Sequence, residues 1–201
     1  MKAEEKRQML ASLERGKQAL VDALAGVSPE MAQRAPSPGR WMILEVVEHV
    51  AISEDYLFGQ IEKAIPAGRP VVNAKREAII PVIGVDRNRR IECPAEGLPA
   101  GRFPTLDAAL EHFLASRART VKFVEACEDD LRARMTTHPI MGPANCHEIL
   151  LTKNAAALPD LALPQRIVMP VEALVPANFA LVRTDAPGIM DVIRISRSIF
   201  S

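Results

Sequence analysis

Gly39 to Glu54 reads GRWMILEVVEHVAISE, and the spacing of its apolar residues decides the fold class. From Ile43 onward, apolar side chains at 43, 46, 47, 50, 57, 61 and 65 recur with a helical period and mark one packing face. At about 100° per residue, His49 projects roughly 120° from the centre of that face, on its flank. A flank histidine suits a ligand at the edge of a helical bundle, and equally an ordinary surface histidine whose removal costs little stability. Glu54 stands differently, within about 20° of the centre of the stripe, between Val50 and Leu57, where an unpaired carboxylate is costly.

Working outward, the spacing predicts three more long helices. The first runs over about 3–25, with Leu10, Leu13, Leu20, Val21 and Leu24 inward, and stops at Gly26. Ser28-Pro29-Glu30 then reads as an N-cap and first turn of a short helix before Pro36. The third long segment begins at Thr105, an N-cap, and carries Leu106, Leu110, Phe113, Leu114, Val121 and Val124 to about Cys127. The fourth starts after Gly142-Pro143, includes His147 to Leu151, and soon meets Pro159. On the third helix Arg117 lies one turn from Phe113 and from Val121. We expect it to meet Glu54 across the core, with Lys17 on the stripe of the first helix as the competing partner. The connection from about Pro66 to Pro104 reads as a loop too long for a tight turn, one that lets the second and third long helices run parallel. Its Arg87, Arg89 and Arg90 form either an anion site or a solvated stretch.

Composition bounds the function classes. A chain of 201 residues, 48% hydrophobic and 25% charged, supports one globular domain with about forty residues to spare. Its 25 basic residues balance 25 acidic ones, which gives no electrostatic case for a nucleic acid or a membrane as partner. The start, MKAEEKRQML, lacks the apolar stretch of a signal peptide, and no run reaches a membrane span, so a cytoplasmic setting is the default. Cys93, Cys127 and Cys146 are odd in number and form no CxxC, arguing against a disulfide framework and a thiolate zinc site. GxGxxG, P-loop, GxSxG and HExxH are all absent. A homodimer stays open, and the small-molecule substrate is unknown.

Several of these residues together resemble a known family, the DinB-like (YfiT-like) proteins of the DinB superfamily. The resemblance is carried by Arg40-Trp41, Ile43, Glu45, Val47, His49 and Ser53-Glu54. It continues in Phe103-Pro104-Thr105, Arg117, Arg119 and the turn His138-Pro139-Ile140-Met141-Gly142, so that it covers about residues 5–151. It implies an all-α fold, a four-helix bundle running up-down-down-up, with a long crossover between the second and third helices. It also implies a divalent metal, nickel or zinc, held by three histidines, of which His49 matches one. The other two belong one turn apart on the last helix as HxxxH. Some relatives are thiol-dependent transferases or isomerases, others metal-dependent hydrolases, so the resemblance selects no substrate.

The chain departs from that pattern at the metal. Counted from His138-Pro139, the two histidines fall near 156 and 160, where Ala156 and Asp160 stand, and no histidine follows His147. Zinc needs three or four ligands. His138 and His147 could supply them only by turning toward His49; His112 is on another helix; Glu45 is a candidate oxygen ligand or an outlying carboxylate; Pro159 interrupts the helix that would aim Asp160. Nickel or zinc is therefore expected to bind weakly. The resemblance stops at about Leu151, dividing the chain into a domain of residues 1–158 and an irregular, proline-rich tail of 159–201. A shift of reading frame near codon 152, or a genuine extension on a divergent member, accounts for such a tail. Two function classes follow: a non-catalytic helical scaffold or dimerisation module with a degenerate metal site, and a metal-dependent hydrolase or thiol transferase with His49 as one ligand.

Overall fold

The computed structural model describes residues 1–36, 40–85 and 93–154. Over these the chain is mostly helical, with a small three-stranded sheet. The helices start where side chains can satisfy their first N–H groups. In α1 (Ala3–Leu24) the Glu5 carboxylate accepts the Lys2 N–H at 2.9 Å. Ser28 caps the short α2 (Pro29–Ala32), accepting the Met31 N–H at 3.2 Å, with Pro29 in the first turn as expected. In α3 (Ile43–Glu62) Glu45 accepts the Met42 N–H at 2.7 Å, so this carboxylate serves the helix start. Thr105 caps α5 (Leu106–Ala126) through the Ala108 N–H at 3.2 Å, again as expected.

Three features differ from the sequence expectations. The connection after α3 is not all loop: it contains α4 (Ala74–Val85), begun by Asn73, whose side chain accepts the Arg76 N–H at 2.9 Å. Pro81 inside that helix removes one N–H and masks the helical pattern. The turn at 139–141 is flanked by strands, so the molecule is not purely α. Here β1 (Ile65–Pro66), β2 (Arg134–His138) and β3 (Gly142–Asn145) pair antiparallel in that order, with Met135 opposite both Ile65 and Asn145. Gly142 takes φ +71°, which the turn into β3 requires. Because β3 holds residues 142–145, the last helix starts later than expected, as α6 (Cys146–Asn154). Asn145 and Glu148 cap it reciprocally, at 2.8 and 3.0 Å.

Contacts give the direction of each helix. Lys6 reaches the carbonyls of Glu125 and Cys127 while Arg117 reaches that of Leu13, so α1 and α5 are antiparallel. Glu48 bonds Arg102, Asp55 bonds His112 and Phe58 meets Phe123, so α3 and α5 run together. Starting from the sheet beside the end of α3, α6 climbs until Lys153 reaches Glu54, antiparallel to α3. Leu13, Val47, Ala51, Phe113, Val124, Ile149 and Leu150 fill the space among these four helices. Among the described residues no helix is long and apolar enough to cross a membrane. The tail expected from 159, Ala156, Asp160 and the run Arg87, Arg89, Arg90 lie outside the described residues.

Candidate metal-ligand site

His49, expected on a flank and open to a surface reading, is fully buried. The stripe alone does not bury it. Its ring packs on Trp41, centroids 5.2 Å apart, and is roofed by the short 3-10 turn Ala95–Gly97 from the crossover. Nδ1 lies 2.6 Å from the Gly97 carbonyl oxygen and 3.7 Å from Cys93 Sγ. A carbonyl only accepts, so Nδ1 carries the proton and Nε2 the lone pair. Burial pushes the imidazole down to about 4, which keeps it neutral at pH 7. A Cβ at Gly97 would stand 3.2 Å from His49 Cε1 and 3.0 Å from Cys93 Sγ, so any side chain there would have to push the ring and the sulfur aside.

The neighbouring Glu48 completes the anchor. Its buried carboxylate accepts the N–H groups of Ala100 and Gly101 at 2.7 and 3.1 Å and the Arg102 guanidinium at 2.9 Å. Glu48 and His49 thus pin five residues of crossover backbone, Gly97 to Gly101, onto α3. Burial, then Glu96, pushes the Cys93 thiol up to about 12, which favours the protonated, less nucleophilic form at pH 7.

The other histidines are each occupied elsewhere. His138 Nδ1 accepts the N–H groups of Ile140 and Met141 at 3.1 and 3.2 Å, closing the β2–β3 turn. His147 Nε2 lies 3.4 Å from Arg132, and Nδ1 lies 3.5 Å from Glu77 Oε2. His112 Nε2 meets Asp55 Oδ2 at 2.5 Å, and Asp55 Oδ1 also accepts the Ser116 hydroxyl at 2.5 Å and an Arg119 N–H. That trio has the composition of a Ser-His-Asp triad in the wrong order: the carboxylate sits between serine and histidine, whereas a triad places the imidazole there as base. Among the described residues no three of His, Cys, Asp and Glu gather as a metal site. The donors present therefore do not fit an ion held by three histidines.

The expected core pair does form. Glu54 accepts two parallel bonds from Arg117, both 2.9 Å, and both side chains are buried. Lys17 is not the competitor; it stays half-buried and pairs with Glu14 at 2.7 Å. The third member is Lys153 of α6, fully buried, with Nζ 3.2 Å from Glu54 Oε1 and 2.9 Å from Thr120 Oγ1. Burial opposes ionisation of Glu54, but Lys153 and Arg117 outweigh it and hold the carboxyl below its usual range. Lys153 was legible in principle, standing one turn beyond Ile149 and Leu150 on an inward stripe. Glu48 had no such signal, since periodicity does not reveal which face a crossover will cover.

These helices and their directions define a mostly helical fold with a small antiparallel sheet, rather than a nucleotide-binding or hydrolase fold of α/β type. The family model of the DinB superfamily matches residues 12–152, and the chain belongs to that superfamily. No curated protein and no solved structure matches the chain.

Proposed function

We propose that this chain is a helical scaffold of the DinB superfamily in which the metal-ligand position has become a structural histidine, and that it acts as a non-catalytic or dimerisation module. The contacts of α1, α3, α5 and α6 support an up-down-down-up four-helix arrangement with α4 inside the crossover. One observation carries the functional reading: the chain's four histidines stand in four separate places, and His49 spends Nδ1 on the crossover backbone. A second copy of the chain is the proposed partner, checked by the mass in solution.

The alternative, a nickel- or zinc-dependent hydrolase or thiol transferase, is favoured by one detail. A protonated Nδ1 held by a backbone carbonyl is how metal-ligating histidines are commonly oriented, Nε2 being the ligating atom. Calorimetric titration of the full chain with nickel and with zinc separates the two readings. Weak binding, unchanged in a His49→Ala protein, supports the scaffold. Stoichiometric tight binding lost in His49→Ala overturns it.

A further inference from the structure

Away from His49, a cavity of about 370 Å³ opens between α1, α4 and α6. Its lining changes character along α1. Glu5, Ser12 and Arg15 fall on one helical face, and the ten-residue step from Glu5 to Arg15 rises about 15 Å. At the Glu5 end, the Glu77 carboxylate grips Arg132 through two bonds of 2.8 Å. Glu5 joins the same guanidinium at 3.2 Å, and Asp130 stands 3.7 Å from it. Three carboxylates therefore share one guanidinium, leaving surplus negative charge. The Glu5 side chain is 32% exposed, and the Lys2 N–H, then Arg132, help hold it ionised. His147, packed behind Glu77 and buried, adds no compensating charge, since burial and then Arg132 depress its protonation. Met9, Pro81 and Leu151 give the cavity an apolar middle. Arg15 closes the far end, exposed and without an ion pair among the described residues.

We propose that this cleft binds an elongated zwitterion of amino-acid size, its ammonium group at Glu5 and Glu77, its methylene chain over Met9, Pro81 and Leu151, and its carboxylate at Arg15. A cation alone would leave Arg15 unused and face its charge. An anion alone would meet the surplus carboxylates. The site shares no residue with the His49 region, so it stands whether or not the scaffold reading does.

The test is an amide NMR titration of the full chain with 6-aminohexanoate, and with hexylamine and hexanoate as single-headed probes. Saturable shifts at Glu5, Ser12, Arg15 and His147 are expected with 6-aminohexanoate, and about tenfold weaker binding of either single-headed probe. Arg15→Gln, an exposed change that leaves the fold intact, should weaken 6-aminohexanoate about tenfold and leave hexylamine unaffected. Glu5→Gln should weaken both. No saturable shift at tens of millimolar, shifts confined to other surfaces, hexylamine binding as tightly as the zwitterion, or an unchanged affinity in Arg15→Gln would each overturn the proposal.

Discussion

Glu54, Arg117 and Lys153 meet where desolvation is most expensive, and a buried ion set of this kind fixes helix register more than it adds net stability. Removing Glu54 or Arg117 alone should cost about 3–5 kcal/mol in urea unfolding, because the remaining charges stay buried and uncompensated. A Glu54→Gln protein with the parent's unfolding midpoint would contradict this. His49 behaves differently at the same scale. Its folded-state value of about 4 lies below the ordinary 6.5, so between those values the unfolded chain binds a proton that the folded chain refuses. Stability should therefore fall as pH drops from 6.5 toward 4, by ~3 kcal/mol for this group across the whole interval. His138, pushed down to about 3 by burial and then Arg76, acts in the same direction. Urea midpoints across that interval check the sign, and His49→Gln should flatten the slope by its share. His49→Ala should cost about 2–5 kcal/mol, not the small change that a surface histidine allows, since it empties a filled site and strands the Gly97 carbonyl.

At the scale of elements, the crossover turn is the weak joint. Gly97→Ala forces a methyl against His49 and Cys93 and should destabilise by about 1–3 kcal/mol. Hydrogen exchange at Ala100 and Gly101 should quicken in that variant, because both amides are held by Glu48 on the same segment; unchanged protection would mean that the turn does not depend on the close approach. This joint is also where sequence reading reaches its limit. Periodicity located α1, α3 and α5 and put Glu54 against Arg117, because a helix stripe records which side faces the core. It missed α4, whose pattern Pro81 breaks, and the three strands of two to five residues, which are too short to show alternation. It left the burial of the flank residue His49 unread, because that burial comes from a segment 48 residues away in sequence, about which the stripe carries no information. The lack of an HxxxH pair after His147, by contrast, is legible from the positions of the histidines in the sequence.

For the whole molecule, the course of α6 matters most. It climbs antiparallel to α3 and is level with Glu54 at Lys153, where the family match ends at residue 152. The HxxxH positions of the resemblance fall beyond that point. Translation of the other two frames after codon 151 is expected to yield HxxxH and a family-like ending in one of them; absence from both would make the tail a genuine extension. In the scaffold proposed above, His49 is a structural residue whose Nδ1–H is committed to Gly97. Nitrogen-15 NMR of the histidine side chains, recorded while zinc is added to one equivalent, tests it most directly. The expected result is a neutral His49 with the proton on Nδ1 and a ring spectrum that zinc leaves unchanged. A His49 Nε2 resonance that moves and saturates at one equivalent of zinc would contradict it.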